Sequence, residues 1–224
     1  MSKSAVIIKG DGTGPELVDA MVKVLKECNS KIKLIPCEAG SEWWTKNGGN
    51  SYISDKVWQL LENSDACFKG PTTTIPTSKA PRSVAVSIRQ RFNLYANVRP
   101  IKTFKNSTQQ LDFVCVREAT EGLYSGIEFK ISDDAAIAVR KITKKSCEKV
   151  VRYGFKLATE MKFKKIHVIT KRNILKETDG IFWNAVQDIQ SEFNQVAVEE
   201  YYIDNVTQQL VKNPERFNKS ILLS

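Results

Sequence analysis

The sequence predicts an α/β fold with a largely parallel sheet. Two observations carry this. Short apolar, β-branched runs alternate with segments of helical periodicity along the whole chain. The first run, Ala5–Lys9, passes through a glycine-rich turn, GDGTGPE (Gly10–Glu16), directly into an amphipathic helix. That strand–turn–helix order is the repeating unit of parallel sheets.

Taken in order, Leu17, Met21, Val24 and Leu25 fall at helical spacing and predict a helix to about Cys28. Lys33–Pro36 reads as a second strand, Asp55–Glu62 as a short helix, and Ala66–Lys69 as a third strand ending in KGPTTT. Val84–Phe92 reads as helix and Leu94–Pro100 as strand or extended chain. The polar segment Lys102–Gln110 (KTFKNSTQQ) is expected to cross between two lobes, residues 1–101 and 102–224. Leu111–Val116 is a strand, Cys147–Met161 a helix, Lys165–Thr170 a strand and Asp179–Phe193 a helix. Val196–Ile203 is strand-like, Val206–Lys212 helical, and Ile221–Leu223 begins another strand. FNKSILLS stops inside an apolar run, so a fragment is expected.

The 224 residues are 42% hydrophobic and 26% charged, ordinary for a globular protein. The net charge of +9 points to anionic partners or to a solvated basic surface. Lysine runs such as KITKKSCEK (141–149) and KFKK (162–165) are short and lack interleaved aromatics, which argues against nucleic acid. Five scattered cysteines, no CxxC and one histidine argue against zinc and for a reducing compartment. Cys67 and Cys115, inside apolar strands, are expected to be buried thiols. His167 reads as core or edge filler, and Trp43 and Trp44 as packing. No signal-peptide pattern is present, and no apolar run reaches the roughly 20 residues of a membrane span.

Several groups could carry chemistry. GDGTGPE is either a plain tight turn or a cradle of N–H groups for an anion. Its glycines at 10, 12 and 14 do not make a dinucleotide fingerprint. PRSVAVSIRQRFNLYANVRP (81–100) places Ser83 at a helix N-cap, with Arg89 and Arg99 at element ends beside Thr72–Thr74. With Arg117 from another element, these arginines suit a polycarboxylate, since guanidinium groups bind carboxylates in bidentate fashion. Singly, each is as readily a surface ion pair. VREATEGLYSGIE (116–128) leaves a strand and at once presents Arg117, Glu118, Thr120, Glu121 and Tyr124, a composition suited to an acidic ligand and proton movement. Lys171 and Asn173 follow directly on a strand, where open α/β sheets bind ligands. Lys171 is a desolvated base or a snorkelling surface lysine. Asp204 ends a strand as an N-cap or as an oxygen ligand for a cation.

Jointly, GDGTGPE, KGPTTT, SVAVSIRQRFNLYANVRP, VREATEGLYSG, TKRNILKETDGIFW and DNVTQQLVKNPERF resemble the isocitrate/isopropylmalate (β-decarboxylating) dehydrogenase family, isocitrate dehydrogenases most of all. They occur in family order and cover nearly the whole chain. The resemblance implies an isopropylmalate dehydrogenase-like two-lobed α/β fold, with Ser125–Arg140 as the arm by which two subunits of a homodimer clasp. Arg89, Arg99 and Arg117 would bind substrate carboxylates, and Ser83 the extra carboxylate of isocitrate. Thr73 and Thr74 would lie near the NAD or NADP nicotinamide. Tyr124 and Lys171 would be the acid–base pair, Asn173 an orienting group, and Asp204 a ligand for Mg²⁺ or Mn²⁺. Ala85 stands where isocitrate enzymes often carry asparagine. The family's next strand, its paired metal-binding aspartates and its adenosine loop lie beyond the last residue. Homoisocitrate, 3-isopropylmalate and a non-catalytic, tricarboxylate-binding regulatory role are the implied alternatives, and a cytoplasmic location is expected.

Overall fold

The computed structural model describes residues 3–77 and 79–224. The chain divides into two compact units, one ending at Arg91 and one running from Phe92 to Ser224.

The first unit contains strands β1 (Ser4–Ile8), β2 (Lys33–Cys37) and β3 (Ala66–Lys69), and helices α1 (Gly14–Glu27), α2 (Ser41–Asn47), α3 (Asp55–Glu62) and α4 (Val84–Arg91). The strands form a parallel sheet in the order β2–β1–β3. β1 takes the centre because Val6, Ile7 and Ile8 can be buried on both faces. Pro15 opens α1, where its missing N–H costs nothing. Ser54 caps α3, its hydroxyl accepting from the Val57 N–H at 3.3 Å. Helix α2 was not expected. It is seven residues long, too short to show helical periodicity, and it carries Trp43 and Trp44. Trp44 packs edge-on against buried Tyr52.

The second unit contains β4 (Ala96–Lys102), β5 (Asp112–Glu118), β6 (Gly122–Lys130), β7 (Ala136–Lys141), β8 (Lys165–Thr170), β9 (Ala197–Tyr202) and β10 (Ser220–Leu223). Its helices are α5 (Lys144–Glu160), α6 (Lys176–Gln190) and α7 (Ile203–Lys212), followed by a short 3-10 helix, Pro214–Phe217. Five strands form a sheet in the order β4–β5–β10–β8–β9, parallel except for β4. β6 and β7 form a separate antiparallel hairpin.

Alternation along each strand makes two apolar layers. Val114, Val116, Ile166, Val168, Ile221 and Leu223 pack with α5 and α6 on one face. Phe113 and Leu222 pack with Tyr201, Val206 and Phe217 on the other. β10 is buried throughout and pairs with β5 on one side and β8 on the other. Four residues therefore close a sheet whose first strand lies more than a hundred residues earlier.

Two expectations change. Lys102–Gln110 joins β4 to β5, which pair antiparallel from Ala96↔Glu118 to Lys102↔Asp112, so it is a hairpin link within one sheet. The division between compact units falls earlier, after Arg91. A polar segment marks a loop, but not which elements the loop joins. Cys67 is exposed on the edge strand β3, and Cys115 packs only partly against the second apolar layer. Cys147, on α5, is the buried thiol, and burial pushes its pKa up to about 12.

His167 is only 1% exposed and faces the rings of Tyr201 and Phe217, as core filler should. Neither ring nitrogen has a hydrogen-bond partner among the described residues. Burial pushes its pKa down to about 4; the Glu199 carboxylate opposes this, and Lys165 and Arg216 reinforce it. The unfolded chain therefore takes up a proton near pH 6.5 that the native state refuses until about pH 4. Stability is full above pH 6.5 and falls as pH drops through that window.

At pH 5 the loss relative to pH 7 is expected to be about 2 kcal/mol from this group, and His167→Phe should remove it. Urea unfolding at the two pH values checks this. Ile221→Ala should cost about 2–5 kcal/mol. Trp183, the only tryptophan of the second unit, reports that transition.

Candidate functional site

The C-terminal ends of β5, β10, β8 and β9 lie at one edge of the sheet, because these four strands are parallel. That edge is where open α/β sheets present ligand-binding groups. Four of the expected site residues sit there, in two pairs.

The first pair is Arg117 and Tyr124. Arg117, near the end of β5, donates from Nη2 to the Tyr124 hydroxyl at 3.0 Å, and its guanidinium carbon lies 5.3 Å from that ring's centre. Tyr124 lies where β6 breaks register with β7, between the pairs Gly122↔Lys141 and Ile127↔Val139. Such irregularities re-aim side chains beside functional sites. The two carboxylates between them are structural. Glu118 accepts from the Thr120 N–H (2.8 Å), the Glu121 N–H (2.9 Å) and the Thr120 and Ser146 hydroxyls. Glu121 accepts from the Thr143 N–H and hydroxyl, both at 2.7 Å, and so fixes the start of α5. The acids of this loop hold its shape, and together with Arg117 and Tyr124 they line a cavity of about 440 Å³. Arg140, Asp179 and Phe182 also line it.

The second pair is Lys171 and Asp204. Lys171 Nζ donates to Asp204 Oδ1 at 2.6 Å. The register explains the meeting: Thr170 of β8 lies opposite Tyr202 of β9, so the residues leaving those strands become neighbours. The Lys171 hydrogen bond holds the Asp204 carboxyl below the usual carboxylate range. Asn173 is exposed in the turn after β8. Between the pairs runs β10, so β5 and β8 are about 10 Å apart at two strand spacings. Arg99 lies diagonally from Arg117 on one face of β4–β5, since Asn97 opposes Arg117 and Arg99 opposes Cys115. Its Nε donates to Asn97 at 3.2 Å.

A metal needs several oxygen or nitrogen ligands. Among the described residues no three His, Cys, Asp or Glu side chains gather into such a set. Asp204 offers one carboxylate, engaged with Lys171. The described residues therefore do not by themselves make a complete metal site.

In the first unit, Asp11 is a residue the sequence reading missed. It is 4% exposed, and its carboxylate accepts from the N–H groups of Ser41 (3.1 Å), Glu42 (2.9 Å) and Thr73 (2.7 Å). It thereby caps α2 and fixes the KGPTTT loop. The glycines around it are required: a Cβ on Gly10 (φ +80°) would overlap the Pro71 carbonyl, and one on Gly40 (φ +128°) would meet the Asp11 carboxylate. The turn is not an anion cradle, because the Asp11 N–H donates to Pro71 and the Gly12 N–H to Glu42.

Thr73 and Thr74 are exposed on that loop. The Ser83 hydroxyl accepts from the Val86 N–H at 3.2 Å, the expected N-cap. Arg89, half-buried, belongs to this unit, and its charge acts on Lys69. Burial lowers the Lys69 pKa, and Arg89 adds to that effect. Lys69 ends β3, donating to the Gly70 carbonyl at 2.7 Å. Its position after a strand is the signal that singled out Lys171, and it would have served here too.

The profile of the isocitrate/isopropylmalate dehydrogenase family matches residues 4–223. An isocitrate dehydrogenase [NADP] of Rickettsia bellii is 35% identical over 216 residues, covering 95% of this chain and 44% of its own length. A homoisocitrate dehydrogenase of Methanocaldococcus jannaschii is 34% identical over 226 residues, covering 95% of this chain and 64% of its own. The crystal structure of isocitrate dehydrogenase from Methylococcus capsulatus superposes with a TM-score of 0.91 at 36% identity, covering 99% of this chain and 66% of that one. The chain thus spans less than two thirds of the length of these curated relatives. It belongs to the isocitrate/isopropylmalate dehydrogenase family and has that family's α/β fold.

Asp11→Ala orphans three amide donors at once, and is expected to destabilise the first unit by about 3 kcal/mol or more. Denaturation followed by the fluorescence of Trp43, Trp44 and Trp58 measures it. A loss under roughly 0.5 kcal/mol would contradict the role given to this carboxylate.

Proposed function

We propose that this chain carries most of the substrate site for the metal-dependent oxidative decarboxylation of isocitrate to 2-oxoglutarate with NAD⁺ or NADP⁺. One observation carries the reading: the Arg117–Tyr124 and Lys171–Asp204 pairs share the C-terminal edge of one parallel sheet. A 2-hydroxy acid needs cations for its carboxylates and two groups that move protons, and these pairs are of that composition.

In this reading Arg89, Arg99 and Arg117 bind carboxylates. Ser83 takes the extra carboxylate of isocitrate. Its oxygen already accepts from Val86, which leaves its hydroxyl proton to donate. Lys171 takes the substrate hydroxyl proton, with Asn173 orienting the bound acid. The nicotinamide, beside Thr73 and Thr74, supplies the hydride acceptor when bound. After loss of the β-carboxylate as CO₂, Tyr124 protonates the enol carbon. Arg117, donating to the Tyr124 oxygen, stabilises the phenolate that this leaves. Asp204 gives one oxygen toward Mg²⁺ or Mn²⁺, and the remaining ligands come from outside these residues. The unit ending at Arg91 serves as part of the large lobe and the unit Phe92–Ser224 as the small lobe.

The working form is a cytoplasmic homodimer in the tricarboxylic acid cycle, with no nucleic-acid or membrane partner. Residues 125–140 form its clasp. Ile127, Phe129, Ile137 and Val139 are exposed on one face of the β6–β7 hairpin, and an isolated two-stranded ribbon needs such a face covered. Homoisocitrate and 3-isopropylmalate are the alternative substrates. A non-catalytic, tricarboxylate-binding regulatory subunit is the further alternative.

Calorimetry of the chain with isocitrate, homoisocitrate and 3-isopropylmalate tests this. Isocitrate is expected to bind most tightly, Arg117→Gln to weaken it at least ~10-fold, and Ser83→Leu to erode the preference. Heat from none of the three acids, or Arg117→Gln binding like the parent, would overturn the reading.

A further inference from the structure

The Asp179 carboxylate is unusual for a charged group in the first turn of a helix. It is 5% exposed, and both of its oxygens are engaged with other elements. Oδ1 accepts from Arg140 Nη1 of β7 at 2.7 Å. Oδ2 accepts from the backbone N–H of Lys171, at the end of β8, at 2.6 Å. The same Arg140 nitrogen donates to the Thr178 hydroxyl at 2.6 Å. Both bonds have a charged acceptor, which strengthens a hydrogen bond, and the one from Arg140, whose side chain is 38% exposed, is also an ion pair.

We infer that Asp179 is a positioning residue that locks the β6–β7 hairpin to the Lys171 turn, so that the placement of Lys171 follows the placement of the hairpin. The hairpin has few other ties. Its strands pair only with each other, and β7 is exposed along its whole length. At the β6 end it is held by Tyr124 against Arg117, and at the β7 end by Arg140 against Asp179. Whatever moves the hairpin pulls on Arg140. The load passes through one rigid carboxylate to the peptide N–H of Lys171. What Lys171 does for a substrate rests on the function proposed above; the mechanical link does not.

The link is tested by amide NMR of the full 224-residue chain. The Lys171 N–H, bonded to a buried carboxylate, should resonate well downfield and exchange slowly. Arg140→Gln keeps Asp179 intact and touches no atom of Lys171. It is nonetheless expected to shift the Lys171 amide upfield and speed its exchange at least ~10-fold, leaving distant β5 and β10 amides unchanged. Asp179→Glu, which keeps the charge, should restore more of the parent signal than Asp179→Asn. An unchanged Lys171 amide in Arg140→Gln would overturn the inference and leave Asp179 as a local helix-start group. Isocitrate calorimetry on the parent chain reads the proposed function separately. Normal binding with an unmoved amide sinks only the link, and absent binding with a shifted amide sinks only the function.

Discussion

The burial of β10 between β5 and β8 is the constraint on which the second unit depends. Remove its hydrogen bonds and the sheet falls into two pairs, β4–β5 and β8–β9, each with a bare edge. Arg117 rides on one of these pairs, and Lys171 and Asp204 on the other. Their common frame is four residues of which none is more than 2% exposed. The apolar layers are built to match: Ile221 and Leu223 fill the α5–α6 side, and Leu222 fills the side where Phe217 and Tyr201 stack. A function that needs groups from both pairs held at one edge therefore rests on a strand that contributes no functional side chain itself.

The sheet was largely legible because its strands are apolar runs bounded by polar turns. β3, β8 and α3 fall where the pattern puts them, residue for residue. The order of the strands was not legible. Nothing in SILL says that it separates β5 from β8, since parallel pairing is decided by partners more than fifty residues away. The hairpin was legible only as an arm. Ile127, Phe129 and Ile131 do alternate with Glu128 and Lys130 as strand residues would, a signal that the reading of an arm did not use.

The site was legible wherever a group leaves a strand end, because the fold itself makes that position significant. Arg117, Lys171 and Asp204 are candidates on this ground, and Lys69 follows the same rule. Asp11 and Asp179 escaped for a shared reason. Each is a short acid inside a motif that already had an explanation, a glycine turn in one case and a helix start in the other. Their partners lie at sequence separations of 30, 62 and 39 residues. The acids of the Glu118–Glu121 loop satisfy the backbone of their own turn and the start of α5, so the loop's shape is carried by its acids.

Native-state hydrogen exchange of the second unit is the most direct test of this account. If β10 is the frame, the amides of β5, β10 and β8 should open together, with one common free energy and one common denaturant dependence, above those of the β6–β7 hairpin. Exchange of the Leu222 and Leu223 amides ahead of those of β5 and β8, with the latter still protected, would show that the two strand pairs hold their places without β10.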